Sequence, residues 1–355
     1  MKRVLSVLLV LSLLATMLLV GGCGTSTSKL VGVAMPTKSL QRWNQDGENM
    51  KKSLEAAGFQ VVLEYANDKV DQQVTQIENM ITKGCKVIVI ASIDGTALKG
   101  VLASAAKEGI KVIAYDRLIR DSENVDYYAT FDNYLVGKIQ GDYIVKALGL
   151  DQGKGPFNME AFGGSPDDNN AFFFNKGAMD VLQPYLDNGM LVCPSGQLKM
   201  EQIAIQGWKA EGAQARMDNL LTANYSDKKL DLVLSPNDSL AQGIVASLKA
   251  AGYGSAEKPF PVLTGQDCDV INVKMLIAGE QSMSIFKDTR TLADQVVKMT
   301  TAIMNKTEVP VNDTKTYDNG IKVVPSYLCA PVFADKDNYT KLLIDSGYYT
   351  ADQLK

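Results

Sequence analysis

Residues 87–117 read VIVIASIDGTALKGVLASAAKEGIKVIAYDR. Val87-Ile88-Val89-Ile90 is an unbroken apolar run rich in β-branched side chains, the pattern of a strand buried on both faces. Residues 95–108 carry a helical period, and Val112-Ile113-Ala114-Tyr115 is a second apolar run that ends on Asp116-Arg117. Strand, helix and strand in about thirty residues make the repeating unit of a parallel sheet with crossover helices.

The same alternation extends in both directions. Upstream, Val31-Gly32-Val33-Ala34-Met35 reads as a first strand, residues 44–57 as a helix stopped at Gly58, and Val61-Val62-Leu63 as a second strand. Val70, Val74, Ile77 and Ile81 form an amphipathic stripe ended by Gly84. Tyr127-Tyr128-Ala129 is a short strand before the chain enters a new unit. There Phe157 to Phe162, Leu232-Val233-Leu234, Val262-Leu263-Thr264 and Met283 to Phe286 read as strands, with helices near 170–183, 207–222, 238–251 and 289–304. This spacing predicts an α/β protein of two doubly wound lobes.

Composition narrows the chemistry. The chain has 355 residues, a formal charge of −4 and no histidine. Without histidine there is no Ser-His-Asp or Cys-His catalysis, no histidine-ligated zinc and no histidine pH switch. A mildly acidic chain has no electrostatic footprint for nucleic acid. The five cysteines, Cys23, Cys85, Cys193, Cys268 and Cys329, are widely spaced and lack a C-x-x-C pair, which favours single thiols over a zinc or redox motif.

The N-terminus reads as an address. Lys2-Arg3, an apolar run from Val4 to Val20 and then Gly21-Gly22-Cys23 have the order of a secretory signal. The small residues before Cys23 resemble a bacterial lipobox, which implies a signal peptide over 1–22, lipidation of Cys23 and a tether over 23–29. An uncleaved membrane anchor is the alternative.

In open α/β sheets, ligands bind outside the carboxyl ends of the strands. At those ends stand Arg42-Trp43, Asp116-Arg117, the run from Gly163 to Asn170, Ser235-Pro236-Asn237-Asp238, Gly265-Gln266-Asp267 and Lys287. Taken singly, Asp168, Asn237 and Asp238 are helix N-caps, Asp116 holds its own loop, and Arg117 and Lys287 are solvated charges. Taken together, they converge on one crevice with both tryptophans, Trp43 and Trp208. Planar donors and acceptors beside indole rings suit a pyranose, which has vicinal hydroxyls and apolar C–H faces.

The runs Gln41-Arg42-Trp43, Ala114-Tyr115-Asp116-Arg117, Gly164-Ser165-Pro166-Asp167-Asp168-Asn169-Asn170-Ala171, Ser235-Pro236-Asn237-Asp238 and Gly265-Gln266-Asp267 resemble the xylose-binding and multiple-sugar-binding proteins of bacterial ABC importers. Ile285 to Arg290 and Asn312 to Tyr317 extend the likeness over nearly all of the mature chain. The resemblance implies a type I periplasmic binding protein, with two doubly wound parallel-sheet lobes joined by a three-strand hinge. It implies crossovers near Phe131-Asp132, Lys287-Asp288 and Val324-Pro325, hence lobes of 30–131 plus 288–323 and 132–287 plus 324–355. The implied sugar contacts are Arg42, Arg117, Asp168, Asn170, Asn237, Asp267 and Lys287, with Trp43 and Trp208 against the ring. The sequence departs from the multiple-sugar pattern at Gly207-Trp208-Lys209 and at Cys268.

The resulting expectation is a monomeric, exported binder, lipid-anchored on the outer face of the cell membrane or periplasmic. It would close on an aldopyranose such as xylose, glucose, galactose or arabinose and deliver it to an ABC importer permease, with no cofactor, no metal and no catalysis. Three other readings remain. A sugar-acting enzyme would use Asp168 and Asp267 as an acid–base pair, although nearby arginine and lysine favour ionisation of both. A transcription regulator would need a helix-turn-helix where the signal stands. A sugar-loaded co-receptor for a chemoreceptor or sensor kinase is compatible with transport.

Overall fold

The computed structural model of the chain describes residues 29–355; the expected signal segment and Cys23 lie outside the described residues. Six parallel strands make the first sheet: β1 (Leu30–Met35), β2 (Gln60–Tyr65), β3 (Val87–Ile90), β4 (Lys111–Tyr115), β5 (Tyr127–Phe131) and β11 (Ser326–Cys329), in the order β11-β5-β4-β3-β1-β2. The order reverses at β1 and β3, the switch point at which a crevice opens.

The alternation along each strand shows why the sheet is covered on both sides. Val31, Val33 and Met35 of β1, with Val87 and Val89 of β3, face α1 (Gln41–Ala56) and α9 (Thr289–Asn305) through Trp43, Met50, Leu54, Leu292 and Val296. Ala34, Ile88 and Ile90 face the opposite way, onto α2 (Val70–Thr82) and α3 (Lys99–Lys107) through Ile77, Met80 and Leu102. Apolar side chains on both faces are what a parallel strand between two helix layers requires.

The second sheet is shorter. β6 (Phe157–Ala161), β7 (Leu191–Val192), β8 (Leu232–Leu234) and β9 (Val262–Leu263) run parallel in the order β7-β6-β8-β9. β10 (Met283–Phe286) pairs antiparallel with β12 (Val332–Asp335) and touches the parallel sheet through a bridge from Ile285 to Gln266. α4 (Asn133–Leu148), α5 (Asn169–Asp187), α6 (Ala210–Asn224), α7 (Asp238–Ala250) and α8 (Val270–Ile277) belong to this half.

Several elements depart from the sequence reading, among them Val270–Ile277, Leu191–Val192 and Val332–Asp335, which it did not include, and three departures bear on the site and its lobes. α1 begins at Gln41 rather than 44, so Arg42 and Trp43 sit in a first helical turn and not in a loop. α4 escapes a periodicity scan because glycines stand at Gly137 and Gly141 on its packed face. The third passage between the sheets falls after Cys329, later than Val324-Pro325, because Ser326–Cys329 pair in register with Tyr128–Phe131 as an edge strand of the first sheet. The four described cysteines, Cys85, Cys193, Cys268 and Cys329, are free thiols, and all but Cys193 are buried.

α4 and α5 meet at backbone distance. A Cβ on Gly137 would collide with the carbonyl of Phe174, and one on Gly177 with the carbonyl of Tyr134. Alanine at either position gains helix propensity worth up to about 1 kcal/mol but forces two rigid backbones apart. Gly177→Ala is therefore expected to lower stability by about 1–3 kcal/mol net, read as a reduced urea midpoint at unchanged m.

Candidate ligand-binding site

The segments that follow β1, β4, β6, β8, β9 and β10 each carry polar groups into the space between the two sheets. After β4, Asp116 takes a left-handed backbone, φ 59°, a conformation that aspartate adopts more readily than most residues other than glycine but that is still uncommon. Its carbonyl accepts from the Tyr128 hydroxyl, the Thr130 hydroxyl at 2.9 Å and the Asn170 amide at 2.8 Å. The carboxylate is thereby turned toward the gap between the sheets.

On the second sheet the helix caps serve twice. Asp168 caps α5, with Oδ1 accepting from the Asn170 N–H at 3.0 Å, while Oδ2 lies 3.0 Å from Arg117 Nε. Asn237 caps α7 through Oδ1 to the Leu240 N–H at 3.1 Å. Beyond β9, Asp267 and Cys268 have φ of 100° and 53°, a double left-handed step that turns Gln266, Asp267 and Asp269 into the same wall. Lys287 follows β10 and is 1% exposed.

These groups form a charge lattice that joins the two sheets. Arg42 donates from Nη2 to Asp116 and from Nε to Asp46 Oδ2 at 2.9 Å, and its Nη1 lies 3.4 Å from Asp267 Oδ1. Lys287 Nζ stands 3.2 Å from Asp267 and 3.8 Å from Asp116. The guanidinium carbons of Arg42 and Arg117 lie 5.0 and 5.1 Å from the Trp43 ring centroid, within cation–π range. Trp208 packs over Gly164, where any side chain would strike its six-membered ring, and meets Phe174 edge-on at 6.3 Å. Gly207 N–H donating to Ser165 Oγ at 2.8 Å and Ser239 Oγ donating to the Trp208 carbonyl at 2.8 Å hold that turn in place.

Together they line one narrow cavity of about 40 Å³, room for a few waters between the closed walls. All nine residues expected from the sequence, Arg42, Trp43, Arg117, Asp168, Asn170, Trp208, Asn237, Asp267 and Lys287, stand in its wall. So do Leu40, Asp116, Phe174, Ser239, Gln266 and Asp269, which were not expected. Phe174 could have been found one helical turn beyond Asn170. Asp116 was assigned to its loop, and it does hold that loop, but with its carbonyl and not its carboxylate. Gln266 stands in a strand-end run but is not among the implied contacts, and Asp269 carries no sequence signal, since only the left-handed step brings it round.

The electrostatics keep Asp116 ionised. Burial opposes the Asp116 carboxylate, but Arg42, Lys287 and Arg117 outweigh it and hold its pKa below the usual aspartate value. Burial likewise works against the Arg42 cation, and Asp116, Asp46 and Asp267 more than restore it. The outer acids behave oppositely. Burial pushes Asp168 up against the pull of Arg117, and pushes Asp46 up to about 6. Asp269 is driven up to about 7 by burial and by the neighbouring Asp267. Five buried wall atoms, Arg117 Nε, Trp208 Nε1, Gln266 Oε1, Asp269 Oδ1 and Lys287 Nζ, have no hydrogen-bond partner among the described residues, although Arg117 Nε and Lys287 Nζ lie within ion-pair distance of carboxylates. Among the described residues no group of acids or cysteines is arranged to hold a metal ion. The wall offers fixed donors, carboxylate and amide acceptors and two indoles, which suits a neutral molecule with many hydroxyls.

Residues 31–308 match the periplasmic binding protein domain family. The chain is 59% identical over 325 residues to the multiple sugar-binding periplasmic receptor ChvE of Rhizobium radiobacter, with 92% of each chain covered. It is 36% identical over 346 residues to the D-xylose-binding periplasmic protein of Escherichia coli, covering 98% of each. Among solved structures, an ABC transporter solute-binding protein from Clostridium phytofermentans with bound β-D-glucose superposes with a TM-score of 0.88 at 62% identity, covering 92% of this chain and all of that one.

The raised pKa of Asp269 has a stability consequence. Its folded-state pKa lies above the unfolded value of 3.8, so the folded chain binds the extra proton between the two values and loses stability as pH rises through that window. Asp269→Asn removes this loss. Relative to wild type, the variant should gain stability between pH 4.5 and 7.5, by at most about 4 kcal/mol, in urea unfolding without ligand. A difference that does not change with pH would dismiss the assignment.

Proposed function

Because this chain belongs to the periplasmic binding protein family, we propose that it captures a monosaccharide by lobe closure and delivers it to an ABC importer. It is a binding protein and not an enzyme, and it works outside the cytoplasm, as its relatives described as periplasmic do. The ligand is an aldopyranose of the glucose and xylose type. Its precedents are the β-D-glucose bound in the Clostridium phytofermentans protein and the D-xylose of the Escherichia coli D-xylose-binding protein.

The observation that carries this reading is the pairing of cations and carboxylates across one cavity. Arg42 with Asp267, Arg117 with Asp168, and Lys287 with Asp116 each join a residue from the first sheet to one from the second. A sugar hydroxyl can donate to one of these acids while accepting from its cationic partner, so it fits into the lattice without stranding a charge. The ring contacts assigned to the nine expected residues, with Asp116, Gln266 and Asp269 added, follow from this arrangement as proposals. The moving bodies are taken as 30–131 plus 288–329 and 132–287 plus 332–355. Contacts from both exist together only when the lobes are closed, so ligand shifts the population toward the closed form.

Attachment to the membrane through a lipidated Cys23 is proposed from Lys2-Arg3, the apolar run and Gly21-Gly22-Cys23. A role as sugar-loaded partner of a chemoreceptor or sensor kinase is a second reading, favoured by the description of the 59% identical relative as a receptor.

Titration calorimetry tests the first reading. D-Glucose or D-xylose should bind, and Asp267→Ala should weaken binding by about 2–4 kcal/mol, because it leaves Arg42 and Lys287 short of an acceptor. An unchanged Kd would remove Asp267 from the site, and no heat with any aldose would remove the sugar. For the anchor, Cys23→Ser should release the protein from the membrane fraction; retention there would reject lipidation.

A further inference from the structure

The C-terminal segment contributes nothing to the cavity wall, yet it reaches both halves of the site. Tyr349 is 4% exposed and packs with Cys268, Val273, Phe286 and Leu343. Its hydroxyl accepts from Gln41 Nε2 and Gln45 Nε2, each at 2.9 Å, and donates to the Cys268 carbonyl at 2.9 Å. A phenol has one proton and two lone pairs, so its capacity is fully used. Gln41 in turn accepts the Val270 N–H on Oε1 at 3.2 Å. Tyr348 steadies the arrangement, with its hydroxyl 3.3 Å from Gln45 Oε1 and 3.1 Å from Thr289 Oγ1.

The partners' positions give this cluster its meaning. Gln41 immediately precedes Arg42, and Cys268 lies between Asp267 and Asp269 in the left-handed step. Arg42 and Asp267 form one of the ion pairs across the cavity. One hydroxyl outside the cavity thus ties the helical turn that carries the cation to the loop that carries the acid.

We propose that Tyr349 is a positioning residue of the binding site, fixing the first turn of α1 against the 267–270 loop from outside the cavity. The proposal rests on the sugar-binding reading for its functional effect. Because Tyr349 touches protein and not ligand, its removal weakens every ligand by the same factor. A wall residue would instead alter the preference among sugars.

The test uses Tyr349→Phe, which keeps the ring and deletes the hydroxyl. Calorimetry with D-glucose, D-xylose and D-galactose should give Kd values raised about tenfold, with the ratios among sugars as in wild type. Hydrogen exchange at the Val270 amide should accelerate in the sugar-bound state, in which the lobes are closed and Gln41 reaches Val270, while thermal unfolding stays cooperative. Unchanged Kd values, or altered ratios among the sugars, would overturn the proposal. Should Tyr349→Phe fail to fold, Gln45→Ala removes one of the two donors and is expected to raise every Kd about threefold, judged by the same ratios. If wild type binds no aldose, the sugar reading fails by itself, and Val270 exchange, which reports on the closed form that the unliganded chain populates, still decides whether Tyr349 holds the loop.

Discussion

A cation buried between two sheets must find a carboxylate there, because the protein interior cannot replace the water it has lost. Arg42, Arg117 and Lys287 are 8, 9 and 1% exposed, and this requirement dictates the site. Each of the three has a partner on the facing sheet, so the two halves of the molecule neutralise one another at their contact. Asp116 is the hub: it takes charge from Arg42 and Lys287 on its carboxylate and three neutral donors on its carbonyl. Buried ion pairs contribute little net stability against well-packed apolar residues. What they supply is a fixed geometry, and a hydroxyl-rich ligand can enter such a lattice at low cost, since it donates and accepts like the groups already present.

The fold delivers this lattice by giving ordinary local structures a second duty. Asp168 and Asn237 are helix caps, as a sequence alone would suggest, and the cap bond locks the side chain in one rotamer. A locked rotamer needs no further ordering when ligand arrives, which is the physical content of preorganisation. Cap and contact are therefore compatible roles.

Backbone conformation concentrates in the same place. Asp116, Trp208, Asp267 and Cys268 all have positive φ, and all belong to the cavity wall or the turn that shapes it. Such residues persist only where their surroundings over-determine them, and here the supporting bonds are visible. The Asp116 carbonyl has three donors, the Trp208 carbonyl has Ser239, and Cys268 has Ser284 on its N–H at 3.1 Å and Tyr349 on its carbonyl. The C-terminal segment is in this sense part of the site, although it supplies no wall.

Sequence by itself determined the architecture and much of the wall. Alternating apolar runs and helical stripes point to this packing, the rule that ligands lie at strand ends picked out the segments of the wall, and the family resemblance named Arg42, Arg117, Asp168, Asn170, Asn237, Asp267 and Lys287 within them, with the two tryptophans beside them. It could not see α4, because glycines that allow backbone contact with α5 interrupt the apolar stripe. Nor could it assign Ser326–Cys329 to the first sheet, because an edge strand's partner is a long-range choice. Only the tertiary structure decided which cation meets which acid, brought Asp116, Gln266 and Asp269 to the wall, and tied Tyr349 to Gln41 across 308 positions of sequence. Those outcomes depend on how the two sheets meet and on turns with positive φ, and neither leaves a mark in local periodicity.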